Sequence, residues 1–114
     1  MHEYGLTKRM VQIVNDTALA HHSKRVLTVS IAVGENSGVI PGSIQLYFSM
    51  IARGTPAQGA ALQVRVTKAE MHCPQCGKSF QRPHFSFACP LCGTLGTPVD
   101  MAGECYVERV ELED

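Results

Sequence analysis

From about Glu3 to His22, Leu6, Met10, Ile13, Val14 and, with them, Thr17 recur at helical spacing, while Lys8, Arg9, Gln12, Asn15 and Asp16 occupy the other side. This pattern predicts an amphipathic helix that needs a surface to cover. Beyond it, Leu27, Val29, Ile31 and Val33 alternate with small or polar residues, the period of a half-buried strand. Gly34-Glu35-Asn36-Ser37-Gly38 breaks that strand, and Pro41-Gly42-Ser43 opens a second helix with Ile44, Tyr47, Phe48 and Ile51 on one face. This helix ends near Arg53-Gly54. Leu62, Val64 and Val66 alternate as a second strand. Apolar periodicity then disappears from about Ala69 to Met101, where Pro and Gly are dense, and returns from Glu104 to Leu112 as a third strand with imperfect alternation, the mark of a bulge. The expected architecture is α+β: two helices packed on a mixed three-stranded sheet, interrupted by an inserted module. The corresponding domains are 1–69 plus 103–114, and 70–102.

Composition narrows the partners. The 114 residues contain no Trp, so the core must be aliphatic, and Lys+Arg and Asp+Glu balance at 10 each. A nucleic-acid binder normally carries a basic surplus to neutralise phosphates, so this balance argues against one. The first helix carries Glu3, Lys8, Arg9 and Asp16, which do not fit a targeting segment, and no run of apolar residues approaches a membrane span. A cytoplasmic protein with no membrane partner is the expectation.

The inserted module carries the clearest chemistry. Cys73-Pro74-Gln75-Cys76-Gly77 is echoed by Cys89-Pro90-Leu91-Cys92-Gly93. Pro fixes φ after the first Cys, and Gly permits the positive φ that a tight turn needs after the second. Two such knuckles can place four thiolates around one tetrahedral Zn²⁺ as a structural site. A dithiol redox pair or a disulfide is the competing reading. Lys78, Arg82 and His84 lie between the knuckles and support an alternative, a zinc-ribbon nucleic-acid or transcription accessory protein, whereas Phe80, Phe85 and Phe87 are expected to pack the ribbon itself. His72 and His84 are candidate replacement ligands, with an exposed, non-binding role the simpler reading. Cys105, in an apolar strand, reads as a small buried hydrophobe. His21 and His22 read as exposed imidazoles at a helix end.

The head of the chain is Met1-His2-Glu3. A free α-amine, the His2 amide nitrogen and its imidazole can close adjoining chelate rings, with a Glu3 donor in a fourth position. Nitrogen-rich tetragonal sets of this kind suit Ni(II) or Cu(II). The bulk of His2 is expected to protect Met1 from removal. The sequence shows no Ser/His/Asp order, no phosphate-binding lysine after Gly34–Gly38 and no His-Glu-x-x-His, so delivery of a metal fits better than catalysis.

Met1-His2-Glu3, Ser37-Gly38, Arg53-Gly54-Thr55 with Gly59-Ala60, both Cys-x-x-Cys pairs and the segment Glu104 to Glu113 together resemble the HypA/HybF family of nickel metallochaperones in [NiFe]-hydrogenase maturation. The resemblance implies nickel on His2, with the Met1 amine and Glu3, and structural zinc on Cys73, Cys76, Cys89 and Cys92. It also implies that Ni(II) passes to the hydrogenase large-subunit precursor together with a GTPase, HypB, while this chain, a monomer or weak homodimer, is no enzyme. The chain departs from the family pattern at Ile40, where an acidic residue is common before the second helix. Glu35 is the nearby carboxylate.

Overall fold

The computed structural model describes residues 3–83 and 86–114. Helix α1 (Glu3–Ala20) leads into strand β1 (Val26–Gly34), helix α2 (Pro41–Ile51) and strand β2 (Ala61–Thr67). Strands β3 (Glu70–His72), β4 (Ser79–Gln81) and β5 (Thr97–Asp100) follow, and β6 (Cys105–Leu112) closes the chain. Strand β1 lies between its neighbours, parallel to β2 and antiparallel to β6. This is the mixed three-stranded sheet expected, with both helices contributing to its core.

That core is aliphatic. Val14 of α1, Val29 and Ile31 of β1 and Ile44 of α2 are fully buried, with Phe48 as the large aromatic filler. Each such side chain stabilises the fold by roughly 1.5–3 kcal/mol relative to exposure. The helical faces are rotated slightly from expectation. Ile13 is 48% exposed, whereas Thr7, Val11 and Ala18 are buried, because α1 also packs against α2 and presents to it the stripe next to the one read from the sequence. Buried Thr7 meets its polar need by donating its hydroxyl to the Glu3 carbonyl at 2.6 Å. Tyr4 and Tyr47 close the helix pair edge to face, with centroids 5.5 Å apart.

The pairing of β1 with β6 is irregular twice. One shift falls at Leu27, so Val26 turns into the core and Leu27 turns out, reversing the alternation read from the sequence at that end. The other falls on β6 at Glu108, between Val107 and Arg109, and is the bulge that its imperfect alternation predicts. On the outer face of the sheet, small Ser30 and Ala32 leave room above β1. Arg65 of β2 and Glu108 of β6 meet there as an ion pair spanning the central strand.

The inserted segment, which lacks periodicity, nevertheless forms a second sheet in the order β4-β3-β5. The strands are three or four residues long, too short to show a period. The insertion leaves from β2 and returns to β6, which flank β1 on opposite sides. The C-terminal end of β1 therefore emerges between the two connecting segments.

Candidate metal centre

Each Cys-Pro-x-Cys-Gly sequence folds as a tight turn closed by its own backbone. The Gly77 N–H donates to the Cys73 carbonyl at 2.8 Å, and the Gly93 N–H repeats the bond to the Cys89 carbonyl at 2.8 Å. Both glycines take the positive φ that the sequence predicts, 72° and 78°. The following residue continues the repeat, with the Lys78 carbonyl accepting from the Cys73 N–H and the Thr94 carbonyl from the Cys89 N–H. Two copies of one local geometry thus face each other.

The sulfurs of Cys73, Cys76, Cys89 and Cys92 all lie within 4.8 Å of one another, and those of Cys73 and Cys92 are 3.6 Å apart. An ion bound tetrahedrally at about 2.3 Å from each of four thiolates sets them roughly 3.8 Å apart, so this cluster fits one such ion. A disulfide needs about 2.05 Å, and all five cysteines are free. The protons are unevenly held. Hydrogen bonding with Cys92 and Cys73 pushes Cys76 up to about 12, whereas the Thr94 hydroxyl, 3.3 Å away, brings Cys92 down to about 6. Four thiolates this close need a cation between them, which is the chemical demand a divalent metal meets.

The knuckles are not equivalent in burial. Cys73 and Cys89 are buried, Cys76 is half-buried and Cys92 is exposed. Around them Phe80 lies over Gly96, where a Cβ would fall 2.7 Å from the ring, and the Arg82 guanidinium stacks 4.4 Å from the centroid of half-exposed Phe87. Two of the three expected aromatic packers are accounted for, and Phe85 lies outside the described residues. His72 belongs to β3, while His84 also lies outside the described residues.

At the opposite end of the reading, Met1 and His2 lie outside the described residues. Glu3 is the first residue of α1, and its carboxylate accepts the Ile40 N–H at 3.4 Å, at the start of α2. It thereby supplies negative charge to the N-termini of both helices. Ile40, the N-cap of α2, has no side chain able to do this itself. A cavity of about 420 Å³ opens beside this point, lined by Leu6, Ser37, Val39, Glu104, Cys105 and Tyr106 among others. Cys105 is half-buried, and burial together with the nearby Glu3 charge raises its pKa. It packs against the main core, so the expected small-hydrophobe role holds in part.

Glu35 points elsewhere. Its carboxylate accepts the Ala69 N–H at 2.7 Å and faces Lys68 Nζ at 3.6 Å, and the first of these contacts is the main cause of its lowered pKa. Glu35 is near the start of α2 in sequence. Its partners lie instead on the connection into the second sheet, and no sequence signal marks that role.

A family model described as hydrogenase/urease nickel incorporation, metallochaperone, hypA matches residues 1–112. Among curated relatives, a hydrogenase maturation factor HypA of Caldanaerobacter subterraneus subsp. tengcongensis is 36% identical, covering 99% of this chain and 100% of that protein. Another, from Geobacter metallireducens, is 34% identical over 99% of this chain and 100% of its own length. Two solved structures share the fold. The solution structure of the Ni metallochaperone HypA from Helicobacter pylori aligns with a TM-score of 0.67 at 19% identity, covering 98% of this chain and 97% of that one. A second HypA solution structure aligns with a TM-score of 0.71 at 18% identity, over 99% and 97%.

Proposed function

Because the chain belongs to the HypA family of nickel-incorporation metallochaperones, we propose that it captures Ni(II) at its head and delivers it for maturation of [NiFe]-hydrogenase. The nickel donors are the His2 imidazole with the Met1 amine and Glu3. Zn²⁺ held by Cys73, Cys76, Cys89 and Cys92 keeps the inserted module folded. In this reading the chain divides into a nickel-binding domain, 1–69 plus 103–114, and a zinc-binding domain, 70–102. The two separate sheets support that division.

The observation that carries the reading is a family match beginning at residue 1, so that the head and the cysteine cluster fall within one pattern. The chemistry of the two donor sets agrees with it. Four sulfurs in one cluster suit an ion that stays, and a nitrogen-rich donor set at the head suits one that leaves. Zinc there supplies no reaction; it replaces the apolar core that a short segment lacks. Glu3, whose carboxylate accepts the Ile40 N–H at the start of α2, would share that carboxylate with an incoming cation. Nickel arriving at the amine and imidazole displaces protons, so capture weakens as pH falls through their range.

The recipient is the hydrogenase large-subunit precursor, reached together with the GTPase HypB. The chain itself carries no catalytic role, works in the cytoplasm, and is a monomer or weak homodimer. Among the described residues no helix is long and apolar enough to cross a membrane. Nickel titration of three zinc-loaded proteins tests the assignment: the native chain, His2→Ala, and a chain extended before Met1. Loss of Ni(II) binding in both altered proteins, with zinc content unchanged, is expected. Undiminished nickel affinity in either would overturn the placement of the site.

A further inference from the structure

The two segments joining the sheets, residues 68–69 and 101–104, straddle the end of β1. Among the described residues no backbone hydrogen bond links one segment directly to the other. On their own they would form a two-stranded hinge. What lies between them is Gly34-Glu35-Asn36, and these three residues bond to both sides.

Toward the outgoing segment, the Glu35 N–H donates to the Thr67 carbonyl at 2.9 Å, and the Glu35 carboxylate accepts the Ala69 N–H at 2.7 Å. Toward the returning one, the Gly34 N–H donates to the Glu104 carbonyl at 2.8 Å and the Asn36 N–H to the Ala102 carbonyl at 2.9 Å. Asn36 Nδ2 adds a bond to the Met101 carbonyl at 2.7 Å. The fit is close: a Cβ on Gly34 would fall 2.1 Å from the Ala102 carbonyl oxygen. Ala69 and Ala102 are buried, and Ala102 holds a positive φ of 54° with its N–H donated to the Asp100 carboxylate. A non-glycine residue keeps that conformation only where its surroundings impose it.

We propose that Glu35 and Asn36 form a latch that sets the orientation of the cysteine module against the main sheet. The covalent connection permits swinging; the side chains of these two residues suppress it. Their choice of chemistry follows from their position. One must accept from an N–H on one side and the other must donate to a carbonyl on the other, and a carboxylate and an amide do this at adjacent positions. Lys68 faces the Glu35 carboxylate, and Arg82 lies close enough to act on it electrostatically, so the accepting side is also held by charge. The latch is independent of what binds at the head of the chain, and goes beyond the delivery role.

The test uses zinc-loaded full-length protein and residual dipolar couplings of its backbone amides. In the native chain one alignment tensor is expected to fit amides of both sheets. In Glu35→Ala/Asn36→Ala the amides of residues 70–100 are expected to need a second tensor, its magnitude reduced by about twofold or more as the module reorients. Zinc content and amide shifts of β1 and α2 should be retained. A single tensor fitting the double variant as well as the native chain overturns the proposal. If the double variant fails to fold, Asn36→Asp decides: it keeps the shape but sets an acceptor against the Met101 carbonyl. Loosening by the same measure supports the latch, and an unchanged tensor rejects it. Glu35→Gln keeps an oxygen for the Ala69 N–H and is expected to restrain the module better than Glu35→Ala. Equal loosening in the two would show that charge, not the backbone bond, does the holding, and would overturn the role given to that bond.

Discussion

The main sheet and the cysteine module solve the same problem by different means. Around β1, residues from α1, α2 and the strand build one contiguous aliphatic core that runs from Met10 to Ala57. In the module and its connections the buried apolar residues, among those described, are Ala69, Met71, Cys73, Cys89 and Ala102, of which two are cluster cysteines and two are at the connections. Among the described residues of the module, Met71 is the one conventional core side chain. Leu91 and Leu95 stand 73% and 71% exposed, so even the available leucines are not used. A segment this short cannot bury enough surface to offset its chain entropy, and bonds to an ion take over. One region is therefore held by many weak contacts and the other by a few strong ones.

Removing the ion should break this symmetry most severely. Structural zinc contributes an apparent ~10–16 kcal/mol in small metal-folded modules, more than any side chain here. Chelation, or Cys73→Ser at the most buried cysteine of the cluster, is expected to collapse the amide dispersion of residues 70–100 while β1, β2 and β6 keep theirs. Collapse of both sheets together would show that the regions do not fold separately.

The reverse experiment is milder. Phe48→Ala leaves a cavity under α2 and should cost about 3–5 kcal/mol in urea unfolding of the main sheet. Its zinc content, read by thiol protection at low denaturant, should not change.

The smallest effect sharpens the contrast at the surface. Hydrogen bonds from Arg65 hold the Glu108 carboxyl below its ordinary value of 4.5. A carboxyl with a depressed folded pKa stabilises the fold above its unfolded pKa, and that contribution disappears as pH falls through the folded value. Carbon-detected titration of Glu108 should give a midpoint below 4.5, returning toward 4.5 in Arg65→Met. Stability at neutral pH should scarcely change, since both groups are solvent-screened.

The sequence made the two regions legible in different ways. Helix and strand periodicity located α1, β1, α2, β2 and β6, since each is long enough for its period to repeat, and the knuckles were legible from a repeated pentapeptide. The second sheet was not, because strands such as Ser79–Gln81 are shorter than two periods. Nor was the inward turn of Val26, because a bulge shifts register without leaving a mark in composition. Ile13 is exposed and Val11 buried because α1 turns toward α2 the stripe next to the one that periodicity marks. The contacts of Glu35 left no mark in the sequence for a related reason. Its partners are more than thirty residues away, and only the folded topology brings Lys68 and Ala69 to it.

The straddling of β1 by the insertion constrains any attempt to shorten this protein. Thr67 and Cys105 pair with opposite edges of one strand, so their separation is about two strand spacings, roughly 9–10 Å. A tight hairpin turn cannot bridge that gap. A truncated chain without the cysteines would need a loop arching over Gly34, long enough to clear the backbone it crosses, and the two-residue reverse turns that serve neighbouring strands would tear the sheet apart.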